Sequence, residues 1–165
     1  EAGPGGITGG GTWGAATDKE RVYTNIANSE GKNYTLRPSN ETTTSGGWVA
    51  MEACNGKILW STANPSNAKA NGPVTVANGI VFAASTHQKG PIYAINGETG
   101  KIVWSYETGS TVYGGMSVSD GCIYILEMDI RQAMECFLEI FLLELRFLPF
   151  VSRQNSMYSD GNKEA

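Results

Sequence analysis

One pattern occurs twice in this chain, and it constrains the fold more than any bulk property. Gly47–Trp60 reads GWVAMEACNGKILW, and Ile92–Trp104 reads IYAINGETGKIVW. Aligning Gly56-Lys57-Ile58-Leu59-Trp60 with Gly100-Lys101-Ile102-Val103-Trp104 also places Ala50 on Ala94 and Met51 on Ile95. A second pair of matching segments joins Val74–Phe82 (VTVANGIVF) to Met116–Tyr124 (MSVSDGCIY). The offsets are 44 residues (60 to 104) and 42 residues (74 to 116). A period of about 40–50 residues, filled with short alternating strands, is that of a four-stranded propeller blade.

The alternation supports this reading. Arg21–Ile26 alternates as a half-buried strand does, and Trp13–Thr17 is short enough for an edge strand. Gly47–Ala53 and Lys57–Ala63 are expected to pair around Cys54-Asn55-Gly56. Pro73–Ala77 and Ile80–Ser85 would pair around Asn78-Gly79, and Ile92–Asn96 and Lys101–Glu107 around Gly97–Gly100. Gly115–Ser119 and Cys122–Leu126 would pair around Asp120-Gly121. Asn-Gly and Asp-Gly supply the positive φ angles of tight hairpin turns. The expected blades are Trp13–Ala63, Pro73–Thr108 and a half-blade Gly115–Leu126. One such sheet cannot bury both faces, but stacked sheets can. Trp60 and Trp104 share a strand position and are expected to wedge between blades, the indole N–H reaching a neighbouring carbonyl. The fold class is therefore all-β, an incomplete β-propeller of two to three four-stranded antiparallel blades. Propellers close with roughly 4–8 blades, so the chain reads as part of a longer protein whose remaining blades are its first partners.

The organisation read from sequence is residues 1–126 partial propeller, 127–151 hydrophobic helical tail and 152–165 disordered tail. Residues 127–151 (EMDIRQAMECFLEIFLLELRFLPFV) break the repeat in mid-blade and take on helical composition, as a translated intron or shifted frame would. Glu135, Glu139, Glu144 and Arg146 interrupt it, so it does not read as a transmembrane span.

Other features narrow the function. The net charge is −4 and the basic residues are scattered, so no phosphate-tracking patch forms and nucleic acid is not a partner. Cys54, Cys122 and Cys136 are widely spaced free thiols rather than a disulfide framework. His87, the single histidine, lies in a polar loop. The polar loop Asn28–Ser45 carries two N-glycosylation sequons, Asn33-Tyr34-Thr35 and Asn40-Glu41-Thr42, which favour a secreted or secretory-pathway protein.

The segments WGAATDKERVY, GGWVAMEACNGKILWSTANPSNA, GPVTVANGIVFAAST and GPIYAINGETGKIVWSYETGSTVYGG resemble the pyrroloquinoline-quinone (PQQ) repeat propellers. The resemblance extends over Gly3–Ile125 and is greatest to the plant proteins called polyvinylalcohol-dehydrogenase-like. It implies an eight-bladed ring of which this chain is a C-terminal portion. It implies an oxidoreductase acting on an alcohol substrate, with the quinone stacked on a tryptophan and held by calcium. The family motif W-x-x-x-A-x-D…Y-x-G-x-G-N resembles Trp13-Gly14-Ala15-Ala16-Thr17-Asp18, with the Trp displaced by one residue, followed by Tyr23–Asn28. On that match Trp13 is the stacking ring and Asn28 a neutral oxygen ligand for calcium, a chemistry suited to a planar quinone and a hard cation. The catalytic aspartate expected in the connection Asn64–Gly72 is missing. Lys69 is the one ionisable side chain there, and no catalytic residue is assigned. The vicinal cysteine pair of some of these enzymes is missing too. Two functions therefore compete: a piece of a PQQ-dependent alcohol dehydrogenase, inactive by itself, and a non-catalytic propeller that serves as a binding scaffold.

Overall fold

A computed structural model describes residues 2–7, 9–10 and 13–125 of the chain. The expected tail elements at 127–151 and 152–165 lie outside the described residues. The described residues form twelve strands: β1 Ala16–Thr17, β2 Arg21–Ile26, β3 Tyr34–Thr35, β4 Thr42–Thr43, β5 Gly47–Glu52, β6 Ile58–Ala63, β7 Thr75–Ala77, β8 Ile80–Ala84, β9 Pro91–Asn96, β10 Ile102–Glu107, β11 Met116–Ser119 and β12 Cys122–Ile125. No helix occurs among the described residues. The first blade has the order β1-β2-β5-β6, the second β7-β8-β9-β10, and β11-β12 opens the third. All pairings are antiparallel. Strand β7 approaches both β1 and β11, so the inner strands of successive blades converge. This is a partial β-propeller.

The duplicated sequence produces duplicated geometry. Trp60 pairs with Ala50 and Trp104 with Ala94, each beside a register irregularity. Each repeat turns through the same four-residue loop. Glu52 N–H donates to Lys57 O at 2.8 Å and Gly56 N–H to Glu52 O at 2.8 Å. In the second copy Asn96 N–H donates to Lys101 O at 2.9 Å and Gly100 N–H to Asn96 O at 2.9 Å. Gly56 and Gly100 both take φ 73°. Asn55 does not share the left-handed conformation expected of an Asn-Gly hairpin. Its side chain braces the loop instead, Oδ1 accepting Lys57 N–H at 2.8 Å. Asn78-Gly79 and Asp120-Gly121 do form two-residue turns with both φ angles positive, 49° and 75°, and 50° and 77°.

Stacking follows from the two-residue period. Val81 and Ala83 of β8, with Tyr93 and Ile95 of β9, face the first blade and meet Tyr23, Trp48, Ala50 and Trp60. Ile80, Phe82 and Ala84, with Ile92 and Ala94, face the other way and meet Met116, Ile123 and Ile125. The middle sheet is therefore apolar on both faces, and each of its faces forms one interblade core. Strand β10, outermost in its blade, reverts to alternate exposure, with Val103 55% exposed.

Asn28–Ser45 is not wholly loop. Tyr34–Thr35 and Thr42–Thr43 pair as a miniature sheet, in register Tyr34↔Thr43 and Thr35↔Thr42. Leu36 of this arm is buried, and Leu36 N–H donates to Glu41 O at 2.8 Å. The arm latches onto the outer edge of the first blade, where Ser61 N–H donates to Arg37 O at 2.7 Å and Arg37 N–H to Ser61 Oγ at 2.7 Å. Those bonds satisfy edge groups that a sheet otherwise leaves open.

Candidate functional site

The densest polar constellation lies where the first blade meets the second. Asp18 closes the β1–β2 turn: its Oδ1 accepts Arg21 N–H at 2.8 Å and Glu20 N–H at 3.1 Å. Its Oδ2 accepts the Tyr23 hydroxyl at 2.7 Å and Arg21 Nη1 at 3.1 Å. The Tyr23 hydroxyl also lies 3.3 Å from Gly97 O, the carbonyl to which Trp60 Nε1 donates at 2.8 Å. One carbonyl in the second blade's repeat turn thus receives two side chains from the first blade. Thr62 Oγ1 adds a third tie, donating to Gly100 O at 2.6 Å. Trp60 is 2% exposed, and the Tyr23 ring lies 6.1 Å away.

The electrostatics match a structural clasp. Burial alone would raise the Asp18 pKa, but hydrogen bonds from Tyr23 and Arg21 outweigh it and hold the carboxyl below its ordinary value. Burial, then the Asp18 carboxylate, pushes the Tyr23 hydroxyl up to about 12. A carboxylate engaged by four donors has little capacity left to take a proton from a substrate.

Trp60 meets the expectation of a wedge with a carbonyl partner. Trp104 occupies the same register position but is half-buried, stacked against Tyr106 at 6.1 Å and 3° between planes. Among the described residues no carbonyl receives its indole N–H.

Trp13 and Asn28 stand in different environments. Trp13 is 59% exposed. Asn28 is 2% exposed and holds the base of the arm. Its Nδ2 lies within hydrogen-bond distance of Lys32 O (2.8 Å), Thr44 O (2.8 Å) and Ser45 O (3.1 Å), and its Oδ1 accepts Lys32 N–H at 2.8 Å. That oxygen, the atom a cation would need, is already used by the backbone. No group of three or more His, Cys, Asp or Glu side chains gathers among the described residues. As described, an exposed Trp13 and a buried, hydrogen-bonded Asn28 do not fit a calcium-held quinone.

The connection Asn64–Gly72 is organised by an asparagine that the sequence reading passed over. Asn64 Nδ2 is within reach of Ala68 O (3.1 Å), Lys69 O (3.2 Å) and Ser85 Oγ (2.8 Å), while Oδ1 accepts Ser66 N–H and the Ser66 hydroxyl. An asparagine at a strand end, followed by Pro and Ser, was the available signal. His87 is half-buried in the β8–β9 turn, where its Nδ1 accepts Lys89 N–H at 3.2 Å. Cys54 is exposed and Cys122 half-buried, both free; Cys136 lies outside the described residues. A cleft of about 420 Å³ runs along the outer rim between the arm, β6 and the second repeat turn, with Arg37, Pro38, Glu41, Thr62 and Lys101 on its walls. No helix of the described residues is long and apolar enough to cross a membrane.

Comparison with solved structures finds BamB from Moraxella catarrhalis (16% identity, TM-score 0.45, 69% of this chain and 33% of that one). It also finds a europium-containing methanol dehydrogenase (18%, TM-score 0.48, 66% and 19%). A third is the quinohemoprotein alcohol dehydrogenase ADHIIG from Pseudomonas putida HK5 (19%, TM-score 0.48, 70% and 17%). The chain spans a third or less of the length of each. No curated protein sequence matches it. The family model PQQ_2, described as outer membrane protein assembly factor BamB, matches residues 45–133, more than half of the chain and both copies of the Gly-Lys-aliphatic-Trp repeat. The doubled turn and the bond from Trp60 to Gly97 O lie within that match, and the chain belongs to the PQQ_2 family of PQQ-repeat proteins.

Proposed function

We propose that this chain supplies scaffold blades to a quinoprotein-like propeller related to the polyvinylalcohol-type, PQQ-dependent alcohol dehydrogenases, and that these blades have no dehydrogenase activity by themselves. The observation that carries the reading is the commitment of its polar side chains. Asp18, Asn28 and Asn64 each spend their side-chain oxygens on neighbouring backbone or side-chain donors. Trp13 lies exposed, and no group of three or more His, Cys, Asp or Glu side chains gathers among the described residues. On this reading, quinone, calcium and alcohol would meet on blades other than those described, and Trp13 and Asn28 shape the first blade.

The test adds pyrroloquinoline quinone and Ca²⁺ to the purified chain and follows quinone absorbance, then dye reduction with simple alcohols and polyvinyl alcohol. The expected result is an unchanged quinone spectrum and no dye reduction. Quinone binding by this chain that is abolished in Trp13→Ala or Asn28→Ala would overturn the proposal and assign those two residues to the cofactor. A non-catalytic propeller used wholly as a binding scaffold is the second reading. The latched arm favours it, because it walls the rim cleft from one side. Alcohol-dependent dye reduction by a longer protein containing these blades would exclude it.

A further inference from the structure

The arm Asn28–Ser45 offers two side-chain nitrogens that the fold leaves unused, and we propose that Asn33 and Asn40 are N-glycan acceptors. Most asparagines of the blades have a structural task. Asn28 and Asn64 spend Nδ2 on carbonyls and, at Asn64, a serine hydroxyl; Asn25 Nδ2 donates to Ala70 O, and Asn55 Nδ2 to Glu52. Asn33 and Asn40 are both exposed, and neither Nδ2 donates to any group among the described residues. Asn40 has one side-chain contact, its Oδ1 accepting Arg37 Nη1 at 3.4 Å, which leaves the amide nitrogen outward.

Each of these two asparagines begins an Asn-x-Thr sequon. Their hydroxyl residues, Thr35 and Thr42, are exposed and lie directly opposite one another across the β3–β4 pair, with no hydroxyl bond to another described group. The chain holds one further Asn-x-Ser pattern, Asn64-Pro65-Ser66, and it fails on both counts. Proline occupies the middle position, and Asn64 is 1% exposed with its amide fully engaged. The two intact sequons therefore fall on the surface arm, and the blocked one falls in the core.

The transfer balances without any group from the blades. The glycosyl donor is a lipid-pyrophosphate-linked oligosaccharide. The asparagine Nδ2 forms a bond to the anomeric carbon as the carbon–oxygen bond to pyrophosphate breaks. The pyrophosphate leaves with the bonding pair, and the nitrogen gives up one proton to the transferase. Asn40 follows Pro38 and Ser39, which line the rim cleft, so a glycan there would stand at its mouth. The inference is independent of whether any blade binds quinone.

The test expresses the full chain behind a secretory leader in eukaryotic cells and maps its peptides before and after peptide N-glycosidase. Glycan at both Asn33 and Asn40 is expected, each site converting to Asp on enzymatic release. Thr35→Ala and Thr42→Ala should each abolish one site, while Thr35→Ser and Thr42→Ser keep it. The urea midpoint should be the same before and after deglycosylation, because neither amide nitrogen is used in the fold. Protein that has entered the secretory pathway with unmodified Asn33 and Asn40 overturns the proposal. Modification of one alone overturns it for the other. A collapse of the urea midpoint in the Thr→Ala variants would show that the arm depends on these hydroxyls, and would overturn the claim that they are free.

Discussion

Replacing Trp60 by Phe removes the indole N–H from Gly97 O and part of a ring that is 2% exposed. The hydrogen bond is worth about 1 kcal/mol net, and Gly97 O is left with the Tyr23 hydroxyl at 3.3 Å, whose single proton it shares with Asp18 Oδ2 at 2.7 Å. Loss of the larger ring leaves unfilled space over Gly100, adding about 1–2 kcal/mol. The expected total is about 2–3 kcal/mol. Trp104→Phe is the internal control. Its position in the repeat is equivalent, but it is half-buried and has no carbonyl partner among the described residues, so about 1 kcal/mol or less is expected. Urea unfolding followed by far-UV circular dichroism measures both without relying on tryptophan emission. With a slope of about 1–3 kcal/mol/M, Trp60→Phe should lower the midpoint by about 1 M or more at unchanged slope. Combining it with Tyr23→Phe should give a non-additive loss of about 0.5–1 kcal/mol, because both side chains meet at Gly97 O. Equal losses for Trp60→Phe and Trp104→Phe, or strict additivity with Tyr23→Phe, would refute the clasp as the tie between blades.

Three more outcomes are expected. The Asp18 carboxyl is held below its unfolded value, so its contribution is present above pH about 3.9 and is lost as pH falls through the lower folded value; Asp18→Asn should be less stable at pH 7 but show a shallower acid loss in urea titrations. Tyr23 and Tyr34 are both pushed up to about 12, so their contribution is full below pH about 10 and is lost as pH rises toward 12; Tyr23→Phe with Tyr34→Phe should flatten that alkaline decline, and an unchanged decline would sink the assignment. At Gly100 a Cβ would stand 2.6 Å from Trp60 Cδ2 on a backbone at φ 73°; Gly100→Ala should cost about 2–4 kcal/mol in urea and Gly56→Ala, with open space around it, only about 1 kcal/mol.

The blades were legible because two local signals agreed. Alternation marked β2, the repeat marked β8 and β9, and Asn78-Gly79 and Asp120-Gly121 set the turns, so most strand ends fall within a residue or two of expectation. The pairing of β3 with β4 was not legible. Tyr34-Thr35 and Thr42-Thr43 are too short to show a period, and the arm is held at Ser61 through the backbone of Arg37, which leaves no trace in side-chain pattern. The Trp60 partner could be named only as a carbonyl, since Gly97 is distant in sequence. Asn28 shows a further limit. A calcium ligand and a loop staple ask for the same amide, and only its four hydrogen bonds identify its task here.

The doubly apolar middle blade has a consequence for how the ring is assembled. Strands β8 and β9 present Val81, Ala83, Tyr93 and Ile95 to one neighbour and Ile80, Phe82, Ala84, Ile92 and Ala94 to the other. A slip of one residue would exchange these two sets, seating Phe82 where Ala83 belongs and breaking both contacts in a single error. Misalignment is thus penalised twice in this blade, against its neighbour on either side.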